Sequence, residues 1–133
     1  MTSATQPHPA PKGELTTRTL AMPADTNPAG DIFGGWVVAE MDKAGAVCAA
    51  TTAGGRVVTV AIDAMTFIQP VFVGDVLSVY CVITRTGRTS ITVQLEAWAL
   101  RDRIGEEVKV TEGTFTFVAV DDARKPRPIS LEC

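Results

Sequence analysis

Between Trp36 and Thr52 the chain runs 17 residues without a proline, dense in Ala, Val and Met, and no other stretch resembles it. Read as a helix, it would be about 25 Å long at 1.5 Å per residue. Gly54-Gly55 supplies the stop that a helix C-terminus prefers. Downstream, β-branched runs recur at Arg56–Ile68, Asp75–Thr86, Thr89–Leu100 and Glu107–Val120. Turn residues separate them: Pro70 with Gly74, Gly87, and Asp102 with Gly105. Upstream, Leu15 to Met22 is a Thr-rich strand candidate stopped by Pro23, followed by a loop dense in Asp, Asn, Pro and Gly. One strand, one long helix and four strands in series predict an α+β fold, a curled antiparallel sheet of about five strands wrapped on one helix. The runs joined at Thr86-Gly87-Arg88 read as a long hairpin. One helix covers only one face and the sheet keeps a bare edge, so the chain is expected to self-associate, as a dimer at minimum.

The 133 residues fit one domain. We expect a flexible leader over 1–13, the domain over 14–120 and a C-terminal tail over 121–133, where Arg124, Lys125 and Arg127 cluster. Apolar residues at 46% and charged residues at 20% exclude general disorder. A net charge of −3 argues against a nucleic-acid partner. No apolar run approaches the ~20 residues of a membrane helix, which argues against a membrane partner. The N-terminus has neither the cationic nor the apolar segment of a secretory signal. Cys48, Cys81 and Cys133 are odd in number and lack C-x-x-C spacing, which suits reduced thiols in a cytoplasmic protein.

A single histidine, His8, lies in the Pro-rich leader, so no Ser-His-Asp or Cys-His arrangement and no common zinc site can be built in the domain. A hydrolytic base would then be a carboxylate. On a helical wheel Val37, Val38, Met41, Ala44, Gly45, Cys48 and Ala49 share an apolar face, with Glu40 and Lys43 opposite as a solvated pair. Asp42 falls apart from that pair, flanked by Val38 and Ala49 on one side and Ala46 on the other. There a carboxylate is costly unless it is paired, used, or at the boundary with water. Gly34-Gly35 leaves the first-turn N–H groups uncovered; they either hold an anion or oxyanion or simply begin a buried helix. By residue type alone Asn27 is a turn or cap residue, Arg88 and Ser90 belong to a hairpin turn, and Trp98 and Phe67 to the core. Phe115, Phe117 and Ala119 alternate as one strand face.

Three blocks, TLAMPADTNPAGDIFGGWVVAEMDKAG, GRVVTVAIDAMTFIQPVFVGD and TGRTSITV, together resemble the hotdog-fold acyl-CoA thioesterases, closest to the bacterial YciA-type branch. The resemblance spans Leu15 to Val120. It rests on an N-x-x-G-x-x-x-G-G loop, an Asp in the following helix and a D-x-x-x-F-x-x-P strand end. It implies that Asp42 is the catalytic carboxylate, with Asn27 as its partner from the other subunit. It further implies that the amides at Gly34 and Gly35 face the thioester oxygen, and that Arg88, Thr89 and Ser90 lie along the pantetheine arm. Pro28 and Gln69 depart from the family's usual residues. The activity implied is hydrolysis of acyl-CoA to a free fatty or other carboxylic acid and CoA, by a homo-oligomer that is a dimer or a larger assembly such as a hexamer, with no cofactor and no metal. Thiolates leave readily, so a missing core histidine is no obstacle. The alternative is a non-catalytic acyl-CoA-binding or regulatory dimer. For the CoA phosphates the basic candidates are Arg88 and the cluster at Arg124, Lys125 and Arg127.

Overall fold

The computed structural model describes residues 10–101 and 105–129. Strand β1 (Glu14–Leu20) leads through a short turn to helix α1 (Gly34–Ala53), then come β2 (Val57–Phe67), β3 (Val76–Thr86), β4 (Ser90–Leu100) and β5 (Glu107–Ala119). The strands form one five-stranded sheet in the order β1-β3-β4-β5-β2, every neighbouring pair antiparallel. The expected helix and strands are all present, and the β3–β4 hairpin turns at Gly87, whose N–H donates to Ser90 O at 2.8 Å.

Alternation along the sheet builds the core. Ile91, Val93, Leu95, Ala97 and Ala99 of β4 and Phe115, Phe117 and Ala119 of β5 are fully buried. They pack against Val37, Met41, Ala44 and Ala49 of α1. The helix lies close to the sheet because Gly45 has no side chain: a Cβ there would stand 2.8 Å from the Phe117 ring. Gly54 ends α1 in the left-handed conformation, φ 71°, with its N–H donating to Ala50 O. Among the described residues no helix is long and apolar enough to cross a membrane.

Two expectations are corrected. Glu40 is not part of a solvated pair: it is 5% exposed, beneath β1, where its carboxylate accepts from Thr19 Oγ1 at 2.8 Å and from Lys43 Nζ at 2.9 Å. Phe67 is not core; it is 53% exposed at the end of β2, beside the start of the helix. The C-terminal segment is folded onto the domain as far as Ile129. Asp121 Oδ1 accepts from the N–H groups of Ala123 and Lys125, Val120 bridges to Pro126, and Ile129 N–H donates to Arg88 O. Residues 1–9 of the expected leader lie outside the described residues; Lys12 is tied to the sheet by its N–H on Glu96.

Strand β2 stands out. Among the described residues its outer edge has no partner strand, and Val58, Val60, Ile62 and Phe67 are all 39–54% exposed. An edge strand this long and this apolar is one that a globular chain ordinarily covers.

Candidate active site

The residues singled out by sequence fall into two groups at opposite ends of the sheet. The first group gathers at the start of α1. Asn27 organises the entry loop, its Oδ1 accepting from Ala29 N–H at 2.9 Å and Asp31 N–H at 3.1 Å while its own N–H donates to Asp31 O. That leaves the side-chain NH2 of Asn27 without a partner among the described residues. Phe33 precedes the helix and offers no side-chain cap. The N–H groups of Gly34 and Gly35 therefore have no acceptor among the described residues, at the positive end of the helix dipole. The two glycines differ locally. A Cβ at Gly34 would press on the Phe67 ring at 3.2 Å, whereas Gly35 faces open space.

Asp42 belongs to the second group. It lies eight residues further along the helix, about 12 Å by helical rise. It is half-buried and faces β2, where Oδ1 accepts a hydrogen bond from Thr59 Oγ1 at 2.7 Å. The remaining oxygen, Oδ2, has no partner among the described residues. Sequence reasoning missed Thr59: one threonine in a β-branched run carries no mark of its own. Only the helix–strand packing reveals that it holds the Asp42 carboxylate.

Strand register sets the rest of the second group. Thr59 pairs with Phe117, and Phe117 with Ile91, so Thr59 stands level with the start of β4. Arg88, Thr89 and Ser90 are thus on the Asp42 side of the sheet, and the Arg88 side chain is exposed. Their backbone is fixed: Arg88 O accepts from Ile129 N–H and Thr89 O from Ala119 N–H, both at 2.8 Å. Arg124 is exposed on the neighbouring turn. Arg127 must be withdrawn from the phosphate-binding candidates. Its guanidinium donates to Val120 O at 3.2 Å and to Ala53 O at 3.1 Å, closing the last turn of α1.

Within one chain, then, Asp42 does not meet Asn27 or the glycine amides. The two groups sit toward opposite ends of β2, an edge strand with no partner on its outer side among the described residues. A second copy laid antiparallel along that edge would set the Asp42 end of one chain beside the Gly34 end of the other, twice per pair. Among the described residues no group of three or more His, Cys, Asp or Glu side chains could hold a metal ion. The two described cysteines are free, and burial pushes the Cys81 thiol up to about 11 and raises Cys48 as well.

The sequence matches the family model of the thioesterase superfamily over residues 29–106. It is 50% identical to the acyl-CoA thioester hydrolase YciA of Salmonella typhimurium over 125 residues, covering 92% of this chain and 94% of that protein. A hexameric thioesterase from Yersinia pestis superposes with a TM-score of 0.87 at 54% identity, covering 91% of this chain and 98% of that one. A hexameric hotdog-fold thioesterase of Campylobacter jejuni superposes at 0.83 with 41% identity, covering 89% and 91%.

Proposed function

This chain belongs to the thioesterase superfamily and has the hotdog fold, and from that premise we propose that it hydrolyses acyl-CoA at a site completed only when two copies pair along β2. It is an acyl-CoA thioester hydrolase, like the curated relatives that match it over nearly their whole length. That similarity leaves no support for the alternative of a non-catalytic binder. One observation carries the two-chain site: Asp42 and the helix-entry amides are separated along a strand whose outer edge is apolar and, among the described residues, unpaired.

The chemistry follows from the parts. Bond making at the thioester carbonyl places negative charge on its oxygen, and the N–H groups of Gly34 and Gly35 at one chain's helix entry are aimed to receive it. Such donors are typically worth about 3–4 kcal/mol each by mutagenesis. Asp42 of the other chain supplies the electron pair, in one of two ways. It takes a proton from water, which adds to the carbonyl carbon, or it adds directly and the mixed anhydride is then hydrolysed. Either way the C–S bond breaks, CoA leaves as its thiolate and takes up a proton, and one water is consumed, so no further cofactor is needed. Thr59 fixes the Asp42 carboxylate by occupying Oδ1, which directs Oδ2 toward the substrate. The unpaired NH2 of Asn27, from the chain that supplies the amides, orients the water. Arg88, Thr89 and Ser90 lie at the Asp42 end, where the pantetheine arm and the nucleotide would extend, with Arg124 nearby. We place the enzyme in the cytoplasm, where buried free thiols such as Cys81 stay reduced. The assembly we propose is a hexamer built as a trimer of dimers.

Thiol release from acyl-CoA tests both halves of the proposal. Asp42→Asn keeps the shape and removes the charge, so turnover should fall by orders of magnitude in a folded protein. Mixing inactive Asp42→Asn with inactive Asn27→Ala under subunit exchange should restore activity, because each mixed pair regains one intact site. Exchange without recovery would place both residues in one chain's site. Single turnover in ¹⁸O-water tests direct attack: label in Asp42 arises only when water opens a mixed anhydride at the Asp42 carbonyl.

A further inference from the structure

Residues 126–129 run back from the turn at Asp121 and touch two distant parts of the fold, the end of α1 and the β3–β4 hairpin. We infer that this segment is a brace that sets Arg88 for the nucleotide end of CoA, with the main-chain N–H of Ile129 as the positioning group. The inference rests on the acyl-CoA reading above and on the place of Arg88 in it.

The brace begins at Arg127. Its N–H donates to Ala119 O at 2.9 Å, its Nε to Val120 O at 3.2 Å and its Nη2 to Ala53 O at 3.1 Å. Gly55 leaves room for the guanidinium, since a Cβ there would stand 2.7 Å from Nη2. One arginine therefore ties the end of β5 to the last turn of α1. Further along the segment, the Ile129 side chain packs against the core and its N–H donates to Arg88 O at 2.8 Å.

Arg88 needs such a hold. The β4–β5 ladder ends with Ser90 opposite Val118, and one more bond, from Ala119 N–H to Thr89 O, extends it. Arg88 lies beyond both, next to Gly87, with its side chain exposed. A long cationic side chain on an unheld turn gives up backbone as well as side-chain freedom when it grips a phosphate. With Ile129 in place, the backbone share is given up on folding, before CoA arrives. The same segment is fixed to α1, so the brace also sets the span between the hairpin and the helix that carries Asp42. Ile129 acts through Arg88 and makes no contact of its own with CoA.

Removing one N–H tests the brace. Ile129→Pro deletes the donor, whereas Ile129→Val keeps it. Both are placed in the full-length protein, alone and with Arg88→Ala, with circular dichroism as the fold control. Titration calorimetry with CoA gives Kd, and thiol release gives KM and kcat. Ile129→Pro should raise Kd for CoA and KM for acyl-CoA about three- to ten-fold, the scale of one ordinary hydrogen bond, with kcat unchanged. Acyl-pantetheine, which lacks the nucleotide, should be cleaved as well as before, and Ile129→Val should restore both constants. In the Arg88→Ala background Ile129→Pro should add nothing. If Ile129→Pro fails to fold, truncation after Pro128 removes the same donor. An unchanged Kd in the folded variant, an equal loss on acyl-pantetheine, or a full additional effect on top of Arg88→Ala overturns the brace. If Arg88→Ala itself leaves Kd unchanged, the place given to Arg88 fails and the brace with it. Absence of thiol release from the unsubstituted protein counts against the hydrolase reading, while the CoA affinities still decide the brace.

Discussion

Two carboxylates, Glu96 and Asp42, show how surroundings decide what an acidic side chain does. Glu96 is 4% exposed on the outer face of the sheet and is fully engaged. Its Oε1 accepts from Trp98 Nε1 at 3.0 Å and Lys12 N–H at 3.2 Å, while Oε2 pairs with Lys109 Nζ at 3.3 Å. Burial alone would raise its pKa, but the bonds from Trp98, Lys12 and Lys109 outweigh it and hold the carboxyl below its ordinary 4.5. A depressed folded-state value means that Glu96 stabilises the fold above pH 4.5, and that this contribution is lost as pH falls through the lower folded value. Glu96→Gln should therefore lower Tm at pH 7, and the gap to the unsubstituted protein should close on acidification below pH 4.5, as followed by thermal melts across pH. Asp42 has one donor, Thr59, and one oxygen with no described partner. A saturated carboxylate holds structure, whereas one with a free oxygen remains open to chemistry. Sequence distinguishes the two poorly. Asp42 is marked by its place among apolar helix residues and by the family resemblance, but nothing in SITVQLEAWAL announces that Glu96 is buried.

At the scale of elements the sequence was easier to read, because the punctuation is physical. Gly54 stops α1, Gly87 turns the hairpin, and Gly74, with φ 93°, turns the chain into β3. Each boundary then falls within about two residues of its expected place. What failed was the question of which neighbour covers a given face. A helical wheel separates Glu40 from Val37 but does not know that β1 crosses over Glu40. Likewise an aromatic residue at a strand end looks like core until the sheet order leaves that strand on the edge, as with Phe67. The same blindness hid Thr59, whose bond to Asp42 depends on how α1 lies over β2. That packing rests on Gly45. Gly45→Ala would gain up to about 1 kcal/mol of helix propensity. Against this, the new methyl would stand 2.8 Å from Phe117 and 3.1 Å from Leu95, and overpacking of this kind costs about 1–3 kcal/mol. Calorimetry should give a lower Tm for Gly45→Ala than for the unsubstituted protein, and a further drop for Gly45→Val.

For the whole molecule, net charge −3 must coexist with a polyanionic substrate, and a local basic patch is one way to meet it; the proposed patch is at the Asp42 end. Arg88→Ala should raise KM for acyl-CoA more than it lowers kcat, and the effect should shrink with salt, since screening at 0.15 M acts over about 8 Å. Acyl-pantetheine, which lacks the nucleotide, should be cleaved equally by both proteins; an equal loss on both substrates would make Arg88 structural. The bare strand β2 also bears on the life of the chain before assembly. Its sequence, VVTVAIDAMTF, contains a single charged residue, Asp63, and no proline, the composition of a segment that pairs readily with any extended chain. On the proposed pairing along β2, a newly made copy carries this edge unprotected until another copy arrives. Its survival is then a race between in-register pairing with its own kind and mispairing with whatever else is extended nearby. Asp63 and the bulge between Asp63 and Thr66, where Ala64 is forced to φ 53°, interrupt the edge at its middle. They restrict what can pair there, so the strand along which we propose that two copies join is also guarded against becoming the start of an aggregate.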